Sequence, residues 1–230
     1  TRRRFERRGD PIISVDTKKK ELIGNFKNGG NAWRNNAIHV NDHDFPSMAD
    51  GKAIPYGVYD VIANQGSVFV GTSHDTPSFA SDCVGDWWRR EGCRRYPSAK
   101  RLLVLADNGG SNSPRCAQWI CGLGRNLCAQ YGLSVTICHY PPGASKWNPI
   151  EHRLFSEISK HWAGVPLRSY ETVLKYVRTT RTKTGLRVKA YLNNKHYEIK
   201  QKPKQAEIDA IKVKPYSELP KWNYTLVKAN

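Results

Sequence analysis

Three carboxylates stand where phosphate chemistry would need them. Asp16 closes the apolar run Pro11-Ile12-Ile13-Ser14-Val15, Asp107 closes Arg101-Leu102-Leu103-Val104-Leu105-Ala106, and Glu151 follows Asn148-Pro149-Ile150 at the head of a helical pattern. Two acids at the carboxyl ends of strands and one in a first helical turn can meet on one sheet edge, where ligands of open α/β sheets collect. Three carboxylates around a point repel one another unless cations neutralise them, and hard oxygen donors suit Mg²⁺ or Mn²⁺. Two such ions about 4 Å apart clamp the attacking and leaving oxygens of an in-line phosphoryl displacement, the chemistry of a nuclease. Each acid also has a simpler explanation. Asp after a strand is a common turn residue, and Asn148, Pro149 and Glu151 fit the N-cap, N1 and N3 positions of a capping box. The chemical reading therefore rests on the three together.

The surroundings of these acids suit a phosphate-bearing partner. Lys18, Lys19 and Lys20 follow Asp16 directly, and Lys146 precedes Glu151. They could hold backbone phosphates or simply be a solvated charged loop. Asn148 and His152 flank Glu151 and could orient it or touch phosphate. Gly109, Gly110 and Ser111 resemble a backbone nest for an anion. Trp147 reads as a core residue rather than a platform for a base. His39 and His43 are four apart beside Asp42 and Asp44, but 41–46 reads as a loop, not as a metal-binding helix. The six cysteines form no CxxC pair, and Cys116, Cys121 and Cys128 lack zinc-ribbon spacing, so they read as reduced core thiols.

The elements that must position these residues are legible from periodicity. Strands are expected at 11–16, 56–62, 67–71, 101–106 and 133–138, the second and third forming a hairpin around Asn64-Gln65-Gly66. Helices are expected after Thr76-Pro77, from Ser113-Pro114 to about Tyr131, from Asn148-Pro149 to about Ala163, and from Tyr170 to about Thr180. Ile150, Leu154, Ile158 and Trp162 repeat every four residues, the core face of the helix that carries Glu151. A short strand over 186–192 and a solvated stretch at 201–204 follow. The order predicts an α/β fold with a mixed sheet of about five strands flanked by helices. It divides into a basic linker remnant at 1–10, a core at 11–166, and a basic C-terminal extension at 167–230 packed on the core.

Charge and composition narrow the partner. The chain has 230 residues, 39% of them apolar, enough for a sizeable core. No run approaches the ~20 apolar residues of a membrane span. Thr1 to Arg8 has no apolar stretch after its charges, unlike a signal peptide, and the missing initiator Met suggests a fragment of a longer protein. Lysine and arginine number 37 against 20 acids, a net charge of +17. Residues 1–27 hold nine basic and four acidic side chains, and 168–230 hold fifteen and five, whereas 28–167 is nearly balanced. A polyanion, most simply nucleic acid, is the natural partner of such ends, with Arg2, Arg3 and Arg4 at the first of them.

The ordered set of motifs resembles a known family. Strand-Asp16, strand-Asp107-Asn108-Gly109-Gly110 and the stretch from Tyr140 to His152 are similar to the catalytic core of DDE transposases. Asn148-Pro149-Ile150-Glu151-His152 resembles the signature around the catalytic Glu of mariner-like and related bacterial insertion-sequence enzymes. Asp16 to Gly30 and Trp222-Asn223-Tyr224-Thr225 resemble the Rhodopirellula-type transposases in particular, so that the resemblance covers roughly 11–226. It implies an RNase H-like fold and Asp16, Asp107 and Glu151 as ligands of two Mg²⁺ or Mn²⁺ ions. It also implies cutting and joining of double-stranded transposon ends and target DNA, synapsis by a homodimer or larger assembly, and a place in the bacterial cytoplasm at the nucleoid. The 44 residues from Asp107 to Glu151 exceed the mariner-type spacing, which an insertion between them accommodates. The family's N-terminal helix-turn-helix region has no counterpart here, so sequence-specific end recognition is expected to be absent. Two other readings stay open: an RNase H-like nuclease such as a resolvase, and a catalytically silent DNA-binding module. The survival of all three acids argues against the second.

Overall fold

The structure is a computed structural model that describes residues 1–33, 35–42 and 46–229, with Ser145 described by its backbone alone. The five expected strands are present at the centre of the molecule: β1 (Ile12–Thr17), β3 (Gly51–Asp60), β4 (Gln65–Gly71), β5 (Arg101–Ala106) and β6 (Ser134–His139). A short β2 (Glu21–Ile23) pairs with β3, and β7 (Arg187–Asn193), β8 (Ile211–Pro215) and β9 (Asn223–Lys228) come from the C-terminal region. Among the described residues the sheet thus has nine strands rather than about five, ordered β7-β4-β3-β1-β5-β6-β9-β8. β1, β5 and β6 run parallel, and β3 runs antiparallel to β1 and β4. Besides β2, the difference lies in 167–230, where β7 is the short strand expected over 186–192 and β8 and β9 are additional. That region is hydrogen-bonded into the sheet at both edges, β7 beside β4 and β9 beside β6.

Period-2 alternation divides the central strands between two faces. Ile13, Val15, Tyr56, Val58, Leu102 and Val104 pack beneath α2 (Pro77–Trp87) and α4 (Ala117–Leu123). Thr76 caps α2, its hydroxyl accepting the Phe79 N–H at 3.1 Å. A π-helical turn, Trp88–Gly92, extends α2 into α3 (Cys93–Arg95), and another, Gly124–Ala129, extends α4. The expected helix start at Ser113 is corrected to Ala117, because 110–116 form turns that carry Asn112 toward Asp107.

The other face is covered by the helix over 149–161. It is π-helical at Glu151–Phe155 and continues as α5 (Ser156–His161), with α6 (Tyr170–Thr179) beside it. Its stripe of Ile150, Leu154, Ile158 and Trp162 is buried as expected. Residues 2–8, expected as a linker, form a helix, α1 (Arg2–Arg8). It ends in a left-handed Gly9 and is anchored by buried Phe5 against Ile12, Leu103 and Leu105. A last short helix, α7 (Gln205–Asp209), precedes β8. All six cysteines are free thiols.

The C-terminal strands differ in what they bury. Leu226 on β9 is fully buried against the core, whereas Val213 on edge strand β8 is 43% exposed. Leu226→Ala is expected to cost about 2–5 kcal/mol in denaturant unfolding, and Val213→Ala less than about 0.5 kcal/mol. Equal small effects would make the C-terminal strands an appendage rather than part of the core.

Candidate active site

Register brings the acids to one edge. β1 and β5 are parallel neighbours with Val15 opposite Ala106, so Asp16 and Asp107 leave their strands side by side. Asp16 follows Ile12 and Ser14 by alternation, which points it toward the 149–161 helix. Gly57 is its partner on β3. A methyl group on Gly57 would stand 2.6 Å from the Phe155 ring and 2.7 Å from Ile150, so only glycine lets the helix lie this close.

A buried polar link fixes the helix on the strand. The Ser14 hydroxyl donates to Asn148 Oδ1 and accepts the Ile150 N–H at 3.2 Å, and both Ser14 and Asn148 are fully buried. Glu151, one residue on, thereby faces Asp16. The Asn148 amide Nδ2 has no hydrogen-bond partner among the described residues. The capping box expected of Asn148, Pro149 and Glu151 is not formed. The side-chain oxygen of Asn148 is taken by Ser14.

Electrostatics show the carboxylates acting on one another. Burial, then the charge of Asp107, then Glu151 push the Asp16 carboxyl up to about 8. Burial raises Asp107 against the opposing hydrogen bonds from Asn112 (3.4 Å) and the Gly109 amide. Burial also raises Glu151, while its bond to Asp16 and the nearby His152 and Lys18 oppose the rise. Among the described residues, no three acidic, histidine or cysteine side chains are gathered closely enough to enclose a metal ion. Asp16 and Asp107 end neighbouring parallel strands, and Glu151 acts on Asp16 from the helix, so the three carboxylates influence one another at one edge. The donor set nevertheless fits a hard divalent cation. It consists of carboxylate oxygens whose burial and mutual charge push Asp16 up, and a cation relieves the same repulsion.

Several expected site residues lie elsewhere. Lys18 is corrected from a phosphate ligand to a buried residue. The alternation that carries Ser14 and Asp16 inward carries it too, to a 2.8 Å ion pair with Glu21 and a position 4.7 Å above the Trp162 ring. Lys19 and Lys20 are exposed, Lys20 standing 3.5 Å from Asp75. Trp147, expected in the core, is 68% exposed, with Lys146 Nζ 5.5 Å from its ring. His152 is exposed and its Nε2 bonds the Lys146 carbonyl. Arg2 pairs with Glu6, Arg4 donates to the Tyr216 hydroxyl at 2.9 Å, and Arg3 is exposed. His43 and Asp44 lie outside the described residues.

Four supporting residues escaped the sequence reading: Ser14, Asn112, His139 and Asp75. Tyr56 donates to Asn112 Oδ1 at 2.8 Å, holding the amide that faces Asp107, and His139 Nδ1 pairs with the Asp107 carbonyl at 2.7 Å. Asp75 accepts from the Thr17 hydroxyl at 3.2 Å and adds negative charge at Asp107. It follows β4, which runs in the same direction as β1, so the rule that singled out Asp16 and Asp107 applied to it as well.

The sheet order and its acidic edge define an RNase H-like protein. The chain belongs to the family described as the Rhodopirellula transposase DDE domain, whose model matches residues 1–228. Its fold is similar to that of two Mos1 structures. One is the Mos1 transposase paired-end complex with left transposon end, at TM-score 0.50 and 15% identity, with 76% of this chain and 49% of that chain covered. The other is a pre-cleavage Mos1 transpososome, at TM-score 0.51, 14% identity and the same coverages. The chain thus spans about half the length of these proteins. No curated protein matches it.

If Ser14 holds the helix, Ser14→Ala leaves Asn148 Oδ1 and the Ile150 N–H buried without their partner. A loss of about 2 kcal/mol or more is expected in chemical denaturation. A loss under about 0.5 kcal/mol would show that apolar packing alone sets the helix.

Proposed function

We propose that this DDE transposase domain cuts and joins transposon-end DNA through Asp16, Asp107 and Glu151. The observation that carries the reading is the parallel pairing of β1 with β5, which sets Asp16 beside Asp107 with Glu151 facing them, in a chain matched by the family over 1–228. The three carboxylates would hold divalent cations, Mg²⁺ or Mn²⁺ and two in number, which supply the positive charge that activates a water or DNA 3′-hydroxyl and stabilises the leaving oxygen. The chain's own residues do the positioning. The Thr17 N–H donates to Asp16 at 2.7 Å, Asn112 and the Gly109 amide hold Asp107, and the Ser14–Asn148 link holds Glu151. Attack by water or a DNA hydroxyl needs no Ser or Tyr nucleophile. Exposed Lys19, Lys20 and Arg3 offer charge to backbone phosphates.

The partner under this reading is double-stranded DNA, both transposon end and target, and one of the similar Mos1 structures is a complex with a transposon end. Synapsis by a homodimer or larger assembly and action at the nucleoid belong to the same reading. No helix among the described residues is long and apolar enough to cross a membrane.

Glu151→Gln keeps the reach of the side chain and removes a negative charge from a crowded pair. Its stability is expected within about 1 kcal/mol of wild type, its DNA binding unchanged or tighter, and its divalent-dependent nicking abolished. Melting, gel-shift and nicking measurements on one preparation decide this, and wild-type nicking by the variant would remove Glu151 from the chemistry. Dependence of cutting on a terminal inverted repeat would separate a transposase from a resolvase.

DNA affinity is expected to fall steeply with salt as counterions are released. Lys19→Gln and Arg3→Gln should each lower the slope of log affinity against log salt by about 1. Lys18→Gln should leave the slope unchanged and lower the melting temperature, since that side chain is buried in an ion pair. A slope change at Lys18 equal to that at Lys19 would contradict the placement.

A further inference from the structure

A cleft of about 510 Å³ opens where the N-terminus of α1, the turn after β3 and the start of the 149–161 helix meet. Arg2, Lys146, His152 and Arg153 line it together with Trp147 and Tyr59, and no acidic residue is among its lining side chains. Arg2 also pairs with Glu6 at 2.8 Å, whereas Lys146 and Arg153 have no ion pair among the described residues. Trp147 is 68% exposed, a large apolar surface approached by Lys146 Nζ at 5.5 Å from its ring. Tyr59 forms a buried wall, its hydroxyl donating to Asn64 Oδ1 at 2.9 Å.

The cleft lies close to the acids along the chain. His152 and Arg153 follow Glu151 directly in the same helical turn. They project from a different side of the helix, because Glu151 faces Asp16 while they face the cleft. A second basic cleft, lined by Arg178, Arg181, Arg187 and Lys189, has as much positive charge but no aromatic side chain. It could attract phosphate and has nothing on which a base would stack.

An exposed indole beside cations is the surface that binds an unpaired nucleotide: the ring stacks on the base and the cations hold its phosphate. A paired base inside a duplex shows only its edges in the grooves, since its faces are covered by neighbouring base pairs. We propose that this cleft holds one unpaired nucleotide of the DNA end next to the acidic edge, its base on Trp147 and its phosphate between Lys146 and Arg153. The proposal rests on the reading of the domain as an enzyme of DNA ends, and it adds a preference for ends whose terminal bases have come apart.

The test compares two DNAs of equal duplex length, one blunt and one with a three-nucleotide 3′ overhang carrying 2-aminopurine, in Ca²⁺ buffer. Wild type, Trp147→Ala, Trp147→Phe and Arg153→Gln are titrated by fluorescence anisotropy, and the 2-aminopurine emission is read in the same samples. Trp147→Ala is expected to weaken overhang binding about tenfold and to abolish the quenching of 2-aminopurine, while blunt-duplex binding changes less than twofold. Trp147→Phe should restore most of the quenching, and Arg153→Gln should weaken overhang binding and keep it. Equal weakening on both DNAs, or quenching that survives Trp147→Ala, would overturn the cleft as a nucleotide site and leave the transposase reading standing. Failure of the wild type to bind either DNA would overturn that reading and the cleft proposal with it.

Discussion

One serine hydroxyl holds the site together. Ser14 accepts from the Ile150 N–H and donates to Asn148, and so ties the first turn of a helix to the strand that carries Asp16 two residues later. The apolar stripe from Ile150 to Trp162 supplies the bulk of the burial, about 1.5–3 kcal/mol for each large side chain. Such a stripe is tolerant of small rotations and slides, whereas two directional bonds in a dry interior are not. Gly57 and Gly66 remove the side chains that would otherwise lift the helix from β3 and β4. The Asn148 Nδ2, without a partner among the described residues, costs about 1–3 kcal/mol. That cost falls beside Glu151, where position matters more than stability.

The link presses like charges together, and the rest of the molecule answers that repulsion. Burial and neighbouring acids act in the same direction on Asp16, and Asp75 adds a fourth negative group to the edge. Alone, this edge would repel DNA. The excess positive charge is held at the two ends of the chain, and the fold brings the ends to each other: Arg4 of α1 meets Tyr216, just past β8, through a hydrogen bond and a contact 5.9 Å from the ring. That contact gathers positive charge from both ends of the chain on one part of the surface.

The central fold was legible because its signals are local. Apolar runs, the Asn64-Gln65-Gly66 turn and the i, i+4 stripe each specify an element without knowledge of its neighbours. The three acids were legible because strand ends and a helix start are themselves local features. What escaped the sequence depends on partners distant in the chain. β8 and β9 are partly exposed strands that take their structure from pairing, β9 with β6 and β8 with β9. Asn148 has the sequence context of a cap and becomes a tertiary link because Ser14 lies 134 residues away. Lys18 was misread although the signal was present, since the alternation of Ile12, Ser14 and Asp16 continues to it. Trp147 was placed inside on residue type alone, and its neighbours Lys146 and His152 marked a surface.

The most direct test of the account is divalent-cation binding in the absence of DNA, read by the free Mn²⁺ signal in electron paramagnetic resonance. Mn²⁺ should bind the wild-type chain, and Asp16→Asn should weaken that binding at least about tenfold with the melting temperature kept. Binding that is unaltered by Asp16→Asn would contradict the claim that the crowded carboxylates of this edge form the cation site on which the chemistry depends.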